Sequence, residues 1–206
     1  MTAVDINRKT PKQARAQATV EAILTATAEL LVEIGYERTT TNAIARRAGV
    51  SIGSLYQYFP NKEALFTALC DQHMTEMTTL LIGEIATLRG RPLDEAIRPL
   101  VKALLRAHAV APALHRVFIE QVPRITGLER VQQVDRMLID VMSTELARRP
   151  EKLRPRDLEL AVFILVHSVQ AVTHAAILER PDALADDALA DEISAMVLRY
   201  LLAEPP

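Results

Sequence analysis

The sequence is poor in cysteine. Cys70 is the only one, so no internal disulfide can form and a disulfide-stapled secreted scaffold is excluded. Half of the residues are apolar, yet they fall in short periodic groups without an uninterrupted run of about 18, which argues against a transmembrane span. Residues 1–12 contain no apolar segment of the signal-peptide kind, so the expected compartment is the cytoplasm. Glycines number six and aromatics make up 4%. Alternating apolar–polar stretches bounded by turn residues are missing, while Ala, Leu, Glu and Arg dominate; the composition predicts an all-α fold. A net charge of −2 by itself points to no partner.

What is present is more informative. A chain of 206 residues is long enough to bury a sizeable core in one or two domains. Residues 1–62 carry eight Lys or Arg against five acids, whereas the remainder carries sixteen against twenty-one. A basic head on an acidic body suits a nucleic-acid-binding module joined to a second function.

Residues 1–11 are polar and read as a basic arm. Val20, Ile23, Leu24, Thr27, Leu31 and Ile34 then recur at helical spacing, predicting a helix over 13–34 stopped by Gly35. Thr39-Thr40-Thr41 supplies hydroxyls to cap a short helix over 42–47, Ala48-Gly49-Val50 turns the chain, and Ser51 caps a second short helix to Tyr58, ended by Pro60. Two short helices joined by a glycine-containing turn are a helix-turn-helix signature, with Ile44, Ala45, Ala48, Val50 and Leu55 facing inward. Asn61 caps a long helix to Leu88. Further helices are predicted from Leu93 to His108, kinked at Pro99; from Pro112 to Pro123; and over 127–148, 156–179 and 186–202. The domain boundary is expected at 62/63.

Residues 35–66 read GYERTTTNAIARRAGVSIGSLYQYFPNKEALF. Gly35-Tyr36, Thr40-Thr41, Ile44-Ala45, Ala48-Gly49-Val50-Ser51, Gly53-Ser54-Leu55-Tyr56, Tyr58-Phe59 and Lys62-Glu63 stand in an order that strongly resembles the DNA-binding region of the tetracycline-repressor (TetR) family of bacterial regulators. The resemblance implies an all-α homodimer, with three N-terminal helices for DNA and about six for dimerisation and ligand.

On that reading the DNA-facing set is Thr40, Thr41, Asn42, Ser51, Ile52, Gly53, Ser54, Tyr56, Gln57, Tyr58 and Lys62. A helix entering the major groove reads base edges, while most contacts go to phosphate. Thr41, Ser54, Tyr56, Tyr58 and Lys62 suit phosphate oxygens; Gly53 admits close backbone approach; Asn42, Ile52, Gly53 and Gln57 are the base readers that the resemblance implies. Core packing of Tyr56 and simple capping by Thr40 are the competing readings. Arg8, Lys9, Lys12 and Arg15 either reach the DNA or form a solvated tail.

The predicted helix over 156–179 is apolar all round, so it should be buried on more than one side. Its stripe of Leu158, Ala161, Leu165, Ser168, Val172 and Ala175, with Ile193, Met196, Val197 and Tyr200 of the last helix, is the expected homodimer face. The expected effector pocket draws on Met74, Met77, His108, His115, Phe118, Gln121, Met137, Met142, Phe163, His167, Gln170 and His174. No metal or cofactor is expected. His167 and His174, seven residues apart, lie about 10 Å apart along a helix, too far to share an ion unaided. Cys70 reads as a buried structural residue rather than a redox sensor, and Glu120 and Glu145 as surface charges rather than catalytic acids, with recognition of a cationic ligand as the alternative. No phosphate-binding glycine loop, paired metal motif or nucleophile elbow occurs, so no enzyme is expected.

The expected function is a ligand-responsive repressor released from a palindromic operator by a small hydrophobic effector. It would act in the bacterial cytoplasm, on the nucleoid when bound to DNA, without a membrane partner. The alternative is a ligand-independent architectural DNA-binding protein of the same fold.

Overall fold

In a computed structural model, residues 11–126, 129–149 and 152–202 are described. They form nine α-helices and no strand: α1 (Pro11–Arg38), α2 (Thr41–Arg47), α3 (Ile52–Tyr58), α4 (Lys62–Thr87), α5 (Leu93–Ala109), α6 (Pro112–Ile125), α7 (Glu129–Ala147), α8 (Leu158–Glu179) and α9 (Asp187–Leu201). A 3-10 turn, Pro181–Ala185, precedes α9. The all-α expectation holds. The basic residues Arg8 and Lys9 lie outside the described residues. The chain divides into two compact units, the first ending at Cys70 and the second beginning at Asp71, inside α4.

In the first unit, Ile23, Leu31, Ile44, Leu55, Leu65 and Phe66 are almost fully buried. α1 holds helical geometry up to Gly35, whose φ of 77° breaks it as the sequence suggests, and a short continuation follows to Arg38. Thr39 recovers the broken end: its hydroxyl and its backbone N–H both donate to the Gly35 carbonyl. The junction of α2 and α3 is a Schellman motif. Gly49, at φ 68°, donates its N–H to the Arg46 carbonyl, and Val50 donates to Ala45. Arg47 clamps α2 to α1 through Glu29 at 3.0 Å and both oxygens of Glu33 at 2.8 Å.

In the second unit, the predicted repeat of α5 buries Leu93, Ala96, Ile97, Val101 and Leu105. Leu93, Ile97, Val101 and Leu105 share one core with Leu146 of α7, Val162 and Ile177 of α8, Leu184, and Ile193, Val197 and Leu201 of α9. Arg98 and Lys102 fasten the exposed edge of α5 to Asp187 and Asp191 of α9. Arg116 of α6 donates to the carbonyls of Ile177 and Leu178, satisfying the end of α8. α8 is long and apolar enough to cross a bilayer by length and composition. Its Ala161, Val162, Thr173, Ala176 and Ile177 are instead buried in this unit. Glu145 is also buried, contrary to the surface charge expected, because Arg89 and Arg148 pair with it.

Candidate functional site

The first candidate site is the outer face of α2 and α3. Thr40 caps α2 by accepting from the Ala43 N–H, and Ser51 caps α3 by accepting from the Ser54 N–H at 3.0 Å. Both hydroxyls therefore have a structural task, and Ser51 also pairs with the Ser54 hydroxyl at 2.8 Å. Asn42, Ile52, Gly53, Gln57 and Tyr58 stand in solvent on the same pair of helices. Tyr56 is half exposed (50%) rather than packed in the core, and its hydroxyl lies 3.1 Å from the Thr41 hydroxyl. That contact joins α2 to α3 on the solvent side and fixes two oxygen groups in one place. A Cβ at Gly53 would meet nothing nearer than Ser51 Oγ at 3.9 Å, so nothing inside the chain demands glycine there.

Two basic groups of this face are committed internally. Arg47 is held by its two glutamates. Lys62 donates to the Tyr36 carbonyl at 3.0 Å and sits 4.0 Å above the Tyr36 ring, with other N–H groups of its ammonium left over. Tyr36 in turn packs edge-on against Phe66 and donates to Glu63. Burial, helped by the Glu63 carboxylate, pushes its phenol up to about 12.

The second candidate site is a histidine cluster inside the second unit. His108 of α5 and His115 of α6 are buried, and His174 of α8 is half-buried. One ring nitrogen from each lies within 4.8 Å of the others. His73 of α4 joins them, its Nε2 2.9 Å from Nδ1 of His115, and Phe118 closes one side against His73 at 5.1 Å between ring centres. His108 Nδ1 lies 2.8 Å from the Leu104 carbonyl, which can only accept, so that nitrogen carries the proton. Burial is the main cause that pushes His108 down to about 4 and His115 down to about 2; each also feels its neighbouring imidazoles. Burial likewise lowers His73 and His174, the latter against the opposing pull of Asp135.

The expected pocket set thus divides. His108, His115, Phe118 and His174 come together, and Met77 is buried while Met74, Gln121 and Met142 are half-buried. Gln170 is occupied by donating to Asp135 at 2.8 Å. Phe163 is 49% exposed and pairs with His167, 4.4 Å between ring centres, while Met137 is also exposed. Sequence reasoning left out His73, although it stands on the apolar stripe of its helix; its partner is 42 residues away.

The expected dimer face divides as well. Ala161, Ile193 and Val197 are committed to the chain's own core, and Leu158, Leu165 and Tyr200 pack against it. Ser168 is half-buried. Val172, Ala175 and Met196 are exposed, as are Leu160, Phe163 and Ile164. α8 and α9 therefore do present an apolar surface, but it is rotated relative to the stripe read from small-residue spacing.

Comparison with known proteins bears directly on this arrangement. Residues 23–69 match the pattern of bacterial regulatory proteins of the tetR family, and residues 92–201 match the tetracyclin repressor-like C-terminal domain. A helix-turn-helix-type transcriptional regulator of Mycobacterium bovis is 30% identical over 190 residues, covering 87% of this chain and 92% of that one. SmeT, the repressor of the Stenotrophomonas maltophilia multidrug efflux pump SmeDEF, superposes with a TM-score of 0.71 at 27% identity, covering 92% of this chain and 93% of its own. NalD, the secondary repressor of the MexAB-OprM efflux pump in Pseudomonas aeruginosa, shares the fold with a TM-score of 0.69 at 22% identity, over 92% and 99% of the two chains. With both matched segments in their expected order, and the helix-turn-helix and a separate helical unit both in place, the chain belongs to the TetR family of DNA-binding transcriptional regulators.

Proposed function

We propose that this regulator is a repressor that binds a palindromic operator as a homodimer and is released by a small, largely apolar effector. α3 of each subunit would enter successive major grooves, with Ile52, Gly53, Gln57 and, from α2, Asn42 at the base edges. Thr41 and Tyr56 would hold phosphate, with Thr40, Ser51, Ser54, Tyr58 and Lys62 around them. The exposed apolar residues of α8 and α9 support a two-fold interface. The reading places the protein in the cytoplasm, on the nucleoid when bound, and gives it no catalytic role.

The observation that carries the effector reading is the polarity of the second unit's interior. His108 and His115 are buried beside Phe118, and a core built for stability alone gains nothing from burying imidazole. Likeness to SmeT supports the repressor role. An effector acts by binding one state of the dimer more tightly than the other, and α4, which belongs to both units, is the covalent route between them.

The test is selection of genomic fragments by the purified protein at physiological salt, repeated with small apolar compounds added. One enriched palindrome, lost when a compound is present, is the expected result. Retention without sequence preference and without release would overturn it in favour of an architectural DNA-binding role.

A further inference from the structure

We infer that His108, His115 and His174 form a binding site for one borderline divalent transition-metal ion of the Zn(II) kind. The three side chains converge from α5, α6 and α8, and their ligand nitrogens lie within 4.8 Å of one another. A tetrahedral Zn(II) with Zn–N bonds of about 2.0–2.1 Å puts its ligand nitrogens about 3.4 Å apart, so small side-chain rotations close the triad. Three protein ligands leave a fourth position for water or for a donor atom of a bound molecule.

The hydrogen bonds around the triad orient it for this role. Nδ1–H of His108 donates to the Leu104 carbonyl, which leaves the lone pair on Nε2. Metal-binding histidines characteristically fix their second nitrogen in this way. His115 bonds through Nδ1 to Nε2 of His73, so in the tautomer where His115 is the donor its own Nε2 is available. His73 is then a positioning residue rather than a ligand. Asp135, buried and held by Gln170, places a negative charge where His174 senses it, which offsets part of the ion's charge. Imidazole ligands without thiolate favour Zn(II), Ni(II), Co(II) or Cu(II) over Mg(II) or Ca(II).

The test uses the tag-free, metal-stripped full chain titrated with Co(II), whose visible d–d absorption reports four-coordinate geometry without any need for DNA. One Co(II) per chain, displaced by Zn(II), is expected. His108→Gln and His174→Gln, on different helices, should each weaken binding by more than the roughly 100-fold upper limit for loss of an outer-shell partner. His73→Gln should keep the one-to-one stoichiometry and weaken binding about 10–100-fold. His167→Gln, which removes an imidazole on α8 that meets the Phe163 ring edge to face, should change nothing. Circular dichroism checks that each variant is folded. Absence of the four-coordinate band in the wild-type chain overturns the site, as does equal loss in His167→Gln and His174→Gln.

Discussion

Gly49 holds φ at 68° with open space where a Cβ would stand. Its replacement therefore costs backbone conformation and not a clash. Gly49→Ala should lower the stability of the first unit by about 1–2 kcal/mol, read as a shift in its urea midpoint at unchanged slope. Tyr56 makes the opposite kind of prediction, because its hydroxyl lies at the surface. Tyr56→Phe removes the bond to Thr41 and one oxygen offered to DNA. Operator affinity should drop by about 0.5–1.5 kcal/mol, up to roughly tenfold, in a fluorescence-anisotropy titration. Tyr56→Ala should abolish specific binding while the oligomeric state measured by sedimentation stays that of the wild type. Unchanged affinity in both variants would remove Tyr56 from the interface. The cap residues on either side were legible in the sequence, since a hydroxyl before a short apolar-patterned segment has one dominant local use. That Lys62 leans on Tyr36 was not, because the pairing depends on a packing angle between two helices that no local spacing encodes.

Most element boundaries followed from periodicity and punctuation: α3 ends at Tyr58 before Pro60, and α8 ends at Glu179 before Pro181. Where helices outran their stops, the reason is local. α6 continues past Pro123 to Ile125, since a proline two residues from the end forfeits a single backbone bond. The 3-10 turn at 181–185 has too few residues to show a period. Glu145 of α7 read as a surface charge because its partner Arg89 lies 56 residues earlier in a loop. The hydrogen bonds from Arg89 hold the Glu145 carboxyl below the ordinary carboxylate range. A carboxyl whose folded value is depressed stabilises the fold above its unfolded value of about 4.3, and that contribution is lost as pH falls through the folded value. Thermal melts of Glu145→Gln should therefore lie beneath the wild type at pH 7, begin to approach it as pH falls below about 4.3, and meet it once the folded-state carboxyl is protonated. Parallel curves at all pH values would show that the ion pair contributes nothing. In the core of the same unit, Leu105→Ala should cost about 2–5 kcal/mol, because that side chain is almost fully buried in the core that α5 shares with α8 and α9. The histidine cluster was half legible. His108, His115 and His174 stand among the expected pocket residues and His73 does not, and spacing within single helices argues against a metal, whereas the three proposed ligands come one from each of three helices.

At the scale of the whole molecule, the proposed dimer depends on the exposed apolar residues of α8 and α9. Phe163→Asp together with Val172→Asp should give a monomer by analytical ultracentrifugation at concentrations where the wild type is a dimer, with helical content unchanged. A dimer that survives both charges would place the interface elsewhere. Ala161, Ile193 and Val197 would have been poor choices for that test, since charge there breaks the subunit's own core. Arg47, the clamp between α1 and α2, bears on how strongly salt weakens the protein's hold on DNA. Its guanidinium is already answered by two carboxylates, and the Lys62 ammonium is partly spent on Tyr36. Each phosphate neutralised by a cation releases condensed counterions and steepens the salt dependence by about 0.9 per contact. Cations already answered inside the head add less to that release. The protein's hold on DNA should therefore weaken less steeply as ionic strength rises than a count of its arginines and lysines implies.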